Sequence, residues 1–125
     1  MPFLRAWTIV GLVAWSLGCN PAGVQPQAAD AEAVVRGMFA AAAAGDCVTL
    51  RRLIAGMDTD EACAEYIGGW RDESIVFVGI DRVSRDGRDP NAFLVRTRVR
   101  VAGEVREGVT RAVCDANGRW TVVVR

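Results

Sequence analysis

Histidine and lysine are both absent from this chain of 125 residues. Histidine is the usual general base near neutral pH and the commonest metal ligand, so its absence excludes hydrolysis by a histidine-containing triad. It also excludes zinc sites with mixed cysteine and histidine ligands. The four cysteines, at positions 19, 47, 63 and 114, include no Cys-x-x-Cys pair that would favour an all-cysteine site. We therefore expect no metal, no cofactor and no conventional catalytic residue set.

Net charge is also absent, because 15 basic residues balance 15 acidic ones. This balance argues against a dedicated nucleic-acid surface or a polybasic membrane surface. The charges are nevertheless unevenly placed: residues 20–81 hold ten acids and four arginines, whereas residues 82–125 hold five acids and ten arginines. The first half of the chain is acidic and the second half is basic.

The sequence has no apolar run of the roughly 20 residues that a permanent transmembrane helix needs. The run at residues 6–18 follows a single positive charge at Arg5 and ends directly before Cys19, which is typical of a cleavable signal peptide. Residues 1–18 are therefore predicted to direct export. A retained transmembrane helix is the alternative.

Ser16-Leu17-Gly18-Cys19 resembles the bacterial lipobox, in which a cysteine after a small residue is acylated and becomes the new amino terminus. The resemblance implies lipidation of Cys19 and a place in the bacterial cell envelope, facing the periplasm or at the cell surface. Cleavage without lipidation, giving a secreted soluble protein, is the alternative. Residues 19–29 are interpreted as a flexible tether and residues 30–125 as one domain.

Apolar residues at three- and four-residue spacing predict three consecutive helices after the tether. Their predicted N-caps are Asp30, Asp46 and Asp58, the last in a capping box with Glu61. Their predicted ends are Gly45, Gly56 and Gly68-Gly69. The second helix is expected to bury Val48, Leu50, Leu53 and Ile54.

After Trp70 the apolar period changes to two residues, which predicts strands. Residues 74–83 are almost continuously apolar, so we expect that strand to be covered on much of both faces. Residues 93–101 alternate, with Phe93, Val95, Thr97, Val99 and Val101 on one face. Turns at residues 102–104 and 115–118 then link three strands into a meander. The predicted fold class is α+β, with three amino-terminal helices packed against a curved antiparallel sheet of about four strands.

Residues 31–53 (AEAVVRGMFAAAAAGDCVTLRRL) combine a helix with a Val-Val…Phe stripe, an Ala-Gly-Asp break and a second helix. Together with the closing hairpin, Asp115-Ala116-Asn117-Gly118-Arg119-Trp120 and a valine strand, they resemble nuclear-transport-factor-2-like domains. The resemblance covers about residues 30–125 and implies the cystatin-like cone and a homodimer through the sheet. Ketosteroid-isomerase-like members use an acidic base with a tyrosine and a protonated aspartate inside the cone. Here Tyr66 is the single tyrosine and Asp81 is a candidate base.

Four aromatic residues are candidates for the lining of an apolar ligand pocket: Trp70, Phe77, Phe93 and Trp120. Aromatic residues at such spacings equally well form a core. Both interpretations stay open at the level of the sequence.

A row of arginines, Arg96, Arg98 and Arg100, is a candidate surface for an anionic ligand or partner. The alternative is a solvated strand face whose charges pair across the hairpin, with Arg106, Glu104 and Glu107 as neighbours.

Cys47 and Cys63 lie on consecutive predicted helices, 16 positions apart. An antiparallel helix pair would bring them within bridging distance in an oxidising compartment, so we expect a disulfide there. Cys114 would then be left over as a small buried apolar residue. The sequence alone does not choose among the possible pairings.

These observations favour an exported, membrane-tethered and non-enzymatic domain that binds a small apolar ligand or a protein, and no nucleic acid. The alternative is a small enzyme that uses carboxylate acid/base chemistry on an apolar substrate.

Overall fold

The structure is a computed structural model that describes residues 26–124. In this range three helices precede four strands, so the predicted α+β class is confirmed. The helices are α1 (Ala28–Ala44), α2 (Cys47–Leu53) and α3 (Asp60–Asp72), and the strands are β1 (Ile75–Arg85), β2 (Ala92–Val101), β3 (Glu104–Cys114) and β4 (Trp120–Val123). The predicted export segment, Cys19 and most of the predicted tether lie outside the described residues.

The four strands form one antiparallel sheet in the order β1-β2-β3-β4. The pairing of β1 with β2 shifts twice, between Phe77 and Gly79 and between Ile80 and Arg82. Such bulges bend an edge strand and increase its twist. At the opposite edge, Ile54 forms a parallel bridge to Val122, and the N–H of Ala55 donates to the carbonyl of Val122 at 2.9 Å.

One face of the sheet, the inner face, packs against the helices and forms the core. On β2 the alternation is as predicted, since Phe93, Val95 and Thr97 are buried while the arginines of the other face, at positions 96, 98 and 100, are exposed. Helix α1 packs against this face with a buried stripe that includes Val35 and Met38. Full burial of one such side chain is worth about 1.5–3 kcal/mol, so this layer contact is the main stabilising feature of the fold.

The junction between α1 and α2 is also as predicted. Gly45 ends α1 in the left-handed conformation, with φ of 70°, and its N–H donates to the carbonyls of Ala41 and Ala42. Asp46 then caps α2, because its carboxylate accepts the backbone N–H of Thr49 at 3.1 Å. The predicted burial of Val48 is wrong, since its side chain is exposed.

The predicted starts of α1 and α3 are wrong by one to three residues. Helix α1 begins at Ala28, after Gln27, and Asp30 lies in its first turn. Helix α3 has Thr59 as its N-cap instead of Asp58, because the Thr59 hydroxyl accepts the N–H of Ala62 at 3.1 Å. Asp58 and Thr59 are both good N-cap residues, so the sequence alone does not choose between them.

The predicted end of α3 at Gly68-Gly69 is wrong as well. The helix continues through both glycines to Asp72, and Ile67 and Trp70 are buried in the core on either side of them. Burial of these two side chains outweighs the roughly 1 kcal/mol that each glycine costs inside a helix. None of the helices in the described range has the length and apolarity of a membrane span.

The outer face of the sheet, opposite the helices, is uncovered in the described part of the chain. Val76 and Val78 are 50% and 44% exposed there. The prediction that β1 is covered on much of both faces is therefore wrong. Its continuous apolar sequence serves a core on one side and an exposed surface on the other.

Candidate functional site

A cleft of about 220 Å³ separates the helices from the inner face of the sheet. Helix α1 lines it with Met38 and Phe39, α3 with Tyr66 and Trp70, and the strands with Ile75, Thr97, Val99, Gly108 and Thr110. Gly108 leaves open space here because it brings no side chain to the inner face opposite Thr97. The cleft therefore exists where a strand residue is missing a side chain.

Of the four aromatic residues predicted to line a pocket, Trp70 lines this cleft and the other three do not. Trp70 lines the cleft and packs on Phe39 with ring centroids 5.6 Å apart. Phe77 stacks on the other side of Phe39 at 4.6 Å. Phe93 and Trp120 pack on each other at 6.0 Å, away from the cleft lining. These three residues belong to the core, which corrects the prediction.

The polar side-chain groups of the cleft are the hydroxyls of Tyr66, Thr97 and Thr110 and the indole N–H of Trp70. Burial raises the pKa of the Tyr66 phenol, and a hydrogen bond with Trp70 partly opposes this effect. Tyr66 is therefore protonated at neutral pH and can donate a hydrogen bond. Thr97 is buried, and its hydroxyl donates to the carbonyl of Gly108 at 3.4 Å. The described lining of this cleft holds no carboxylate and no arginine.

A second hollow of about 360 Å³ adjoins the cleft at its open end. The two share Tyr66 and Val124. The hollow is bounded by the segment that follows α2, including Gly56 and Met57, and by Glu65 of α3. Tyr66 thus stands between an interior apolar space and a more open, partly polar entrance.

Asp81 does not face the cleft, so its interpretation as a base inside the fold is wrong. It is the unpaired residue of the second bulge of β1, between Ile80 and Arg82, and its carboxylate accepts from Nε of Arg98 at 2.8 Å on the outer face. A carboxylate paired in this way on the sheet surface is held away from any ligand in the cleft. The sequence could not show this, because the two bulges reverse the simple alternation of β1.

The arginine row lies on the outer face, as the alternation of β2 predicts. Arg98 pairs with Asp81 at 2.8 Å, and Arg96 lies 3.8 Å from Glu107. Arg106 lies 3.9 Å from Glu104. Arg100 forms no ion pair with any residue of the described range. Both interpretations thus hold in part, with solvated cross-strand pairs beside an uncompensated charge.

A larger hollow, of about 660 Å³, lies on the outer face near the β1–β2 turn. Its charged residues already satisfy one another, because Arg111 donates to Asp86 at 3.1 Å and to Asp89 at 3.2 Å. Asp86 also accepts the N–H of Arg88, and this bond together with Arg111 lowers the pKa of its carboxyl. We interpret this cluster of Asp86, Asp89 and Arg111 as a structural feature that stabilises the β1–β2 turn.

Cys47 and Cys63 form the predicted disulfide between α2 and α3, with Cα atoms 5.9 Å apart. Cys63 is fully buried. Cys114 is buried as expected, but no cysteine of the described range is a free thiol, so the expectation of a leftover thiol is wrong. The described residues contain no group of three side chains arranged to hold a metal ion.

Four residues of the cleft were not predicted from the sequence as parts of one site: Met38, Thr97, Gly108 and Thr110. Thr97 carried a signal, since it is the single polar residue on the inner face of β2. No family model matches this chain, and no curated protein is significantly similar to it.

Proposed function

We propose that this protein is an exported, non-enzymatic binding domain that takes a small apolar ligand into the cleft between α1, α3 and the inner face of the sheet. The observation that carries this proposal is the composition of the cleft, whose side chains are apolar except for three hydroxyls and the indole N–H of Trp70. Binding sites typically combine an apolar lining with a few polar groups that orient the ligand. Tyr66, Thr97 and Thr110 provide those groups.

The size of the cleft limits the ligand class. Ligand sites usually range from about 300 to 1,000 Å³, and a cavity of roughly 150 Å³ holds benzene. The 220 Å³ cleft therefore fits a single ring or a short branched chain with one hydroxyl or carbonyl group. A larger ligand would extend past Tyr66 into the adjoining hollow.

Acid/base catalysis is the rival proposal, and it loses its candidate base, because Asp81 is paired with Arg98 on the outer face. The described lining of the cleft offers three hydroxyls and the indole N–H of Trp70, and the indole cannot act as a base. A threonine hydroxyl or a tyrosine with a raised pKa is a poor general base near neutral pH. Binding without chemistry is therefore the better-supported proposal.

The proposed likeness to nuclear-transport-factor-2-like domains is supported by the order of elements, with helices first and an antiparallel sheet afterwards. It is supported also by a cleft between the two layers. Neither feature is specific to one family, so the functional proposal depends on the cleft and not on the likeness.

Replacement of Gly108 by valine tests the cleft directly. The added side chain would occupy the cleft without backbone strain, since the added Cβ lies 3.6 Å from Thr97 Oγ1, an ordinary contact. Gly79→Val is the matched control, because its Cβ meets nothing within 4 Å and its partner Arg98 lies on the outer face. With phenol as probe, we expect thermal stabilisation of the wild type and of Gly79→Val, about 2.7 kcal/mol at a hundredfold excess over Kd.

Gly108→Val should fold but show no stabilisation by phenol. Equal stabilisation of Gly108→Val and Gly79→Val would show that phenol binds elsewhere, and the proposed site would be wrong. Stabilisation of none of the three proteins would exclude a single-ring ligand.

We further propose that Cys19 is acylated and holds the domain at the membrane of a bacterial cell envelope. This part rests on the sequence, from the apolar run at residues 6–18 and the small residue before Cys19. Intact mass and peptide mapping of the protein, expressed with its own leader in a bacterial host, test it. We expect a mass that starts at Cys19 with acyl chains added. A thioether and a disulfide cannot share one sulfur, so a Cys19–Cys114 disulfide would contradict lipidation.

A further inference from the structure

The outer face of the sheet interleaves arginines with exposed valines. We call it the arginine–valine face: arginines 82, 96, 98 and 100 with valines 76, 78, 105 and 109. These valines are four of the six large apolar residues that are exposed in the described range. Arg100 lies directly between Val76 and Val105 on the neighbouring strands. Positive charge and apolar area therefore lie side by side on the same sheet face.

The charges of this face are not balanced within the described part of the molecule. Arg98 and Arg96 have acidic neighbours, in Asp81 and Glu107. Arg82 and Arg100 form no ion pair with any described residue. Arg82 also lies directly across the β1–β2 ladder from Arg96, and like charges in that position repel. An external anion would relieve that repulsion.

A second copy of this chain is a poor partner for the face. A two-fold symmetric contact places the same patch against itself. Arg82, Arg96 and Arg100 of one copy would then meet those of the other, with Asp81 and Glu107 already engaged. The charge favours a negative partner instead.

The position of the amino-terminal chain favours a membrane as that partner. The carbonyl of Pro26, the first described residue, accepts from Arg85 at the end of β1. Six residues lie between Cys19 and Pro26, so the seven steps along the chain span about 25 Å at most. An anchor at Cys19 would therefore keep the sheet close to the headgroups. The segment between Cys19 and Pro26 is also long enough to reach past the sheet to its outer face, because one layer of the fold is about 10 Å thick.

We propose that the arginine–valine face rests on anionic phospholipid headgroups, with Arg82 and Arg100 binding phosphates and the valines entering the interface. The proposal rests on the proposed anchor in one respect: the anchor keeps the domain where the local concentration of lipid is high. The attraction to the headgroups comes from the face itself. Each arginine near an anionic surface strengthens binding by roughly fivefold. The inner cleft faces away and stays open to its ligand.

Arginine footprinting with phenylglyoxal, read by mass spectrometry, tests this orientation. The processed protein is placed on phosphatidylcholine vesicles with and without phosphatidylglycerol. We expect Arg82, Arg96 and Arg100 to react about fivefold more slowly on the anionic vesicles, and this protection to disappear at high salt. Arg52 and Arg71, which are exposed on the helical layer, are internal controls and should react equally on both.

The double variant Arg82→Gln and Arg100→Gln should abolish the protection of Arg96, whereas Arg52→Gln with Arg71→Gln, an equal change in charge, should not. Flotation of the same samples reports the anchor separately. If the protein does not float, it is not anchored, and it is then mixed with the same vesicles and footprinted. The proposal for the arginine–valine face predicts the same protected arginines in that mixture. Protection that ignores lipid composition and grows with protein density would indicate a second copy. That result, or equal reactivity on both vesicles, would overturn the proposal.

Discussion

Ala102 is the residue whose backbone is least suited to its side chain. It forms the β2–β3 turn with Gly103, and both residues have positive φ, at 51° and 85°. Val101 and Glu104 pair on either side, so the loop has two residues. A two-residue loop with positive φ at both positions favours Asn-Gly, and a left-handed alanine costs about 1–2 kcal/mol.

Ala102→Asn should therefore raise the free energy of unfolding by about 1 kcal/mol. Urea unfolding at neutral pH measures this change. Ala116→Asn is the control, because Ala116 is likewise exposed in a turn but does not have positive φ. A gain at position 116 equal to that at position 102 would show that the turn conformation is not the cause.

Asp86 contributes stability that depends on pH. The N–H of Arg88 and the side chain of Arg111 lower its folded-state pKa below the ordinary value of 3.8. A lowered pKa means that the stabilisation is complete above the unfolded-state value and is lost as the pH falls through the folded-state value.

Asp86→Asn should be less stable than the wild type at neutral pH, and the difference should shrink as the pH falls below 3.8. Urea midpoints of both proteins across this range provide the measurement. A difference that stays constant with pH would mean that the charge of Asp86 has no part in locking the turn.

Among the elements, α2 is the one that most needs external support. It has seven residues, and Leu50 is the residue that it buries. Isolated helices of this length are not stable in water. The Asp46 cap, the Cys47–Cys63 disulfide and the contact of Ile54 with β4 hold it in place.

Removal of the disulfide by Cys47→Ala with Cys63→Ala should lower the free energy of unfolding by about 3 kcal/mol, the value for a closed loop of some 15 residues. Chemical denaturation measures the loss. The comparison is both proteins treated with a reductant, which breaks every disulfide in each, and there the two should be about equally stable. A loss well below 1 kcal/mol would mean that packing alone positions α2.

Element types were predictable from the sequence, because the apolar period changes from that of a helix to that of a strand near residue 74. Helix ends were less predictable where packing competes with local preference. The end of α1 and the start of α2 were predicted correctly, because Gly45 acts through its left-handed backbone and Asp46 through its capping side chain. Gly68 and Gly69 are overridden by the burial of Ile67 and Trp70.

At the scale of the whole molecule, the two faces of the sheet have different roles. The inner face carries the core and the cleft, and the outer face carries uncompensated charge beside exposed valines. The apolar run of β1 did not distinguish the two, because the bulges and the absence of a second covering layer are tertiary features. The arginine row was readable from the alternation of β2 alone.

The cleft could not be predicted from the sequence as a site. Its lining comes from two helices and all four strands, and its space arises from the missing side chain at Gly108. The aromatic residues that suggested a pocket mostly fill the core instead. The residues that form the cleft are far apart in the sequence and share no motif, so no pattern in the sequence indicates the site.

The central claim is that the inner cleft takes up a small apolar ligand, and methyl NMR during a phenol titration tests it most directly. Methyl signals of Met38, Ile75 and Val99, which line the cleft, should shift progressively and saturate. Those of Val76 and Val105, exposed on the outer face, should not move. Saturating shifts confined to the outer valines, or no shift at the cleft methyls, would contradict the account.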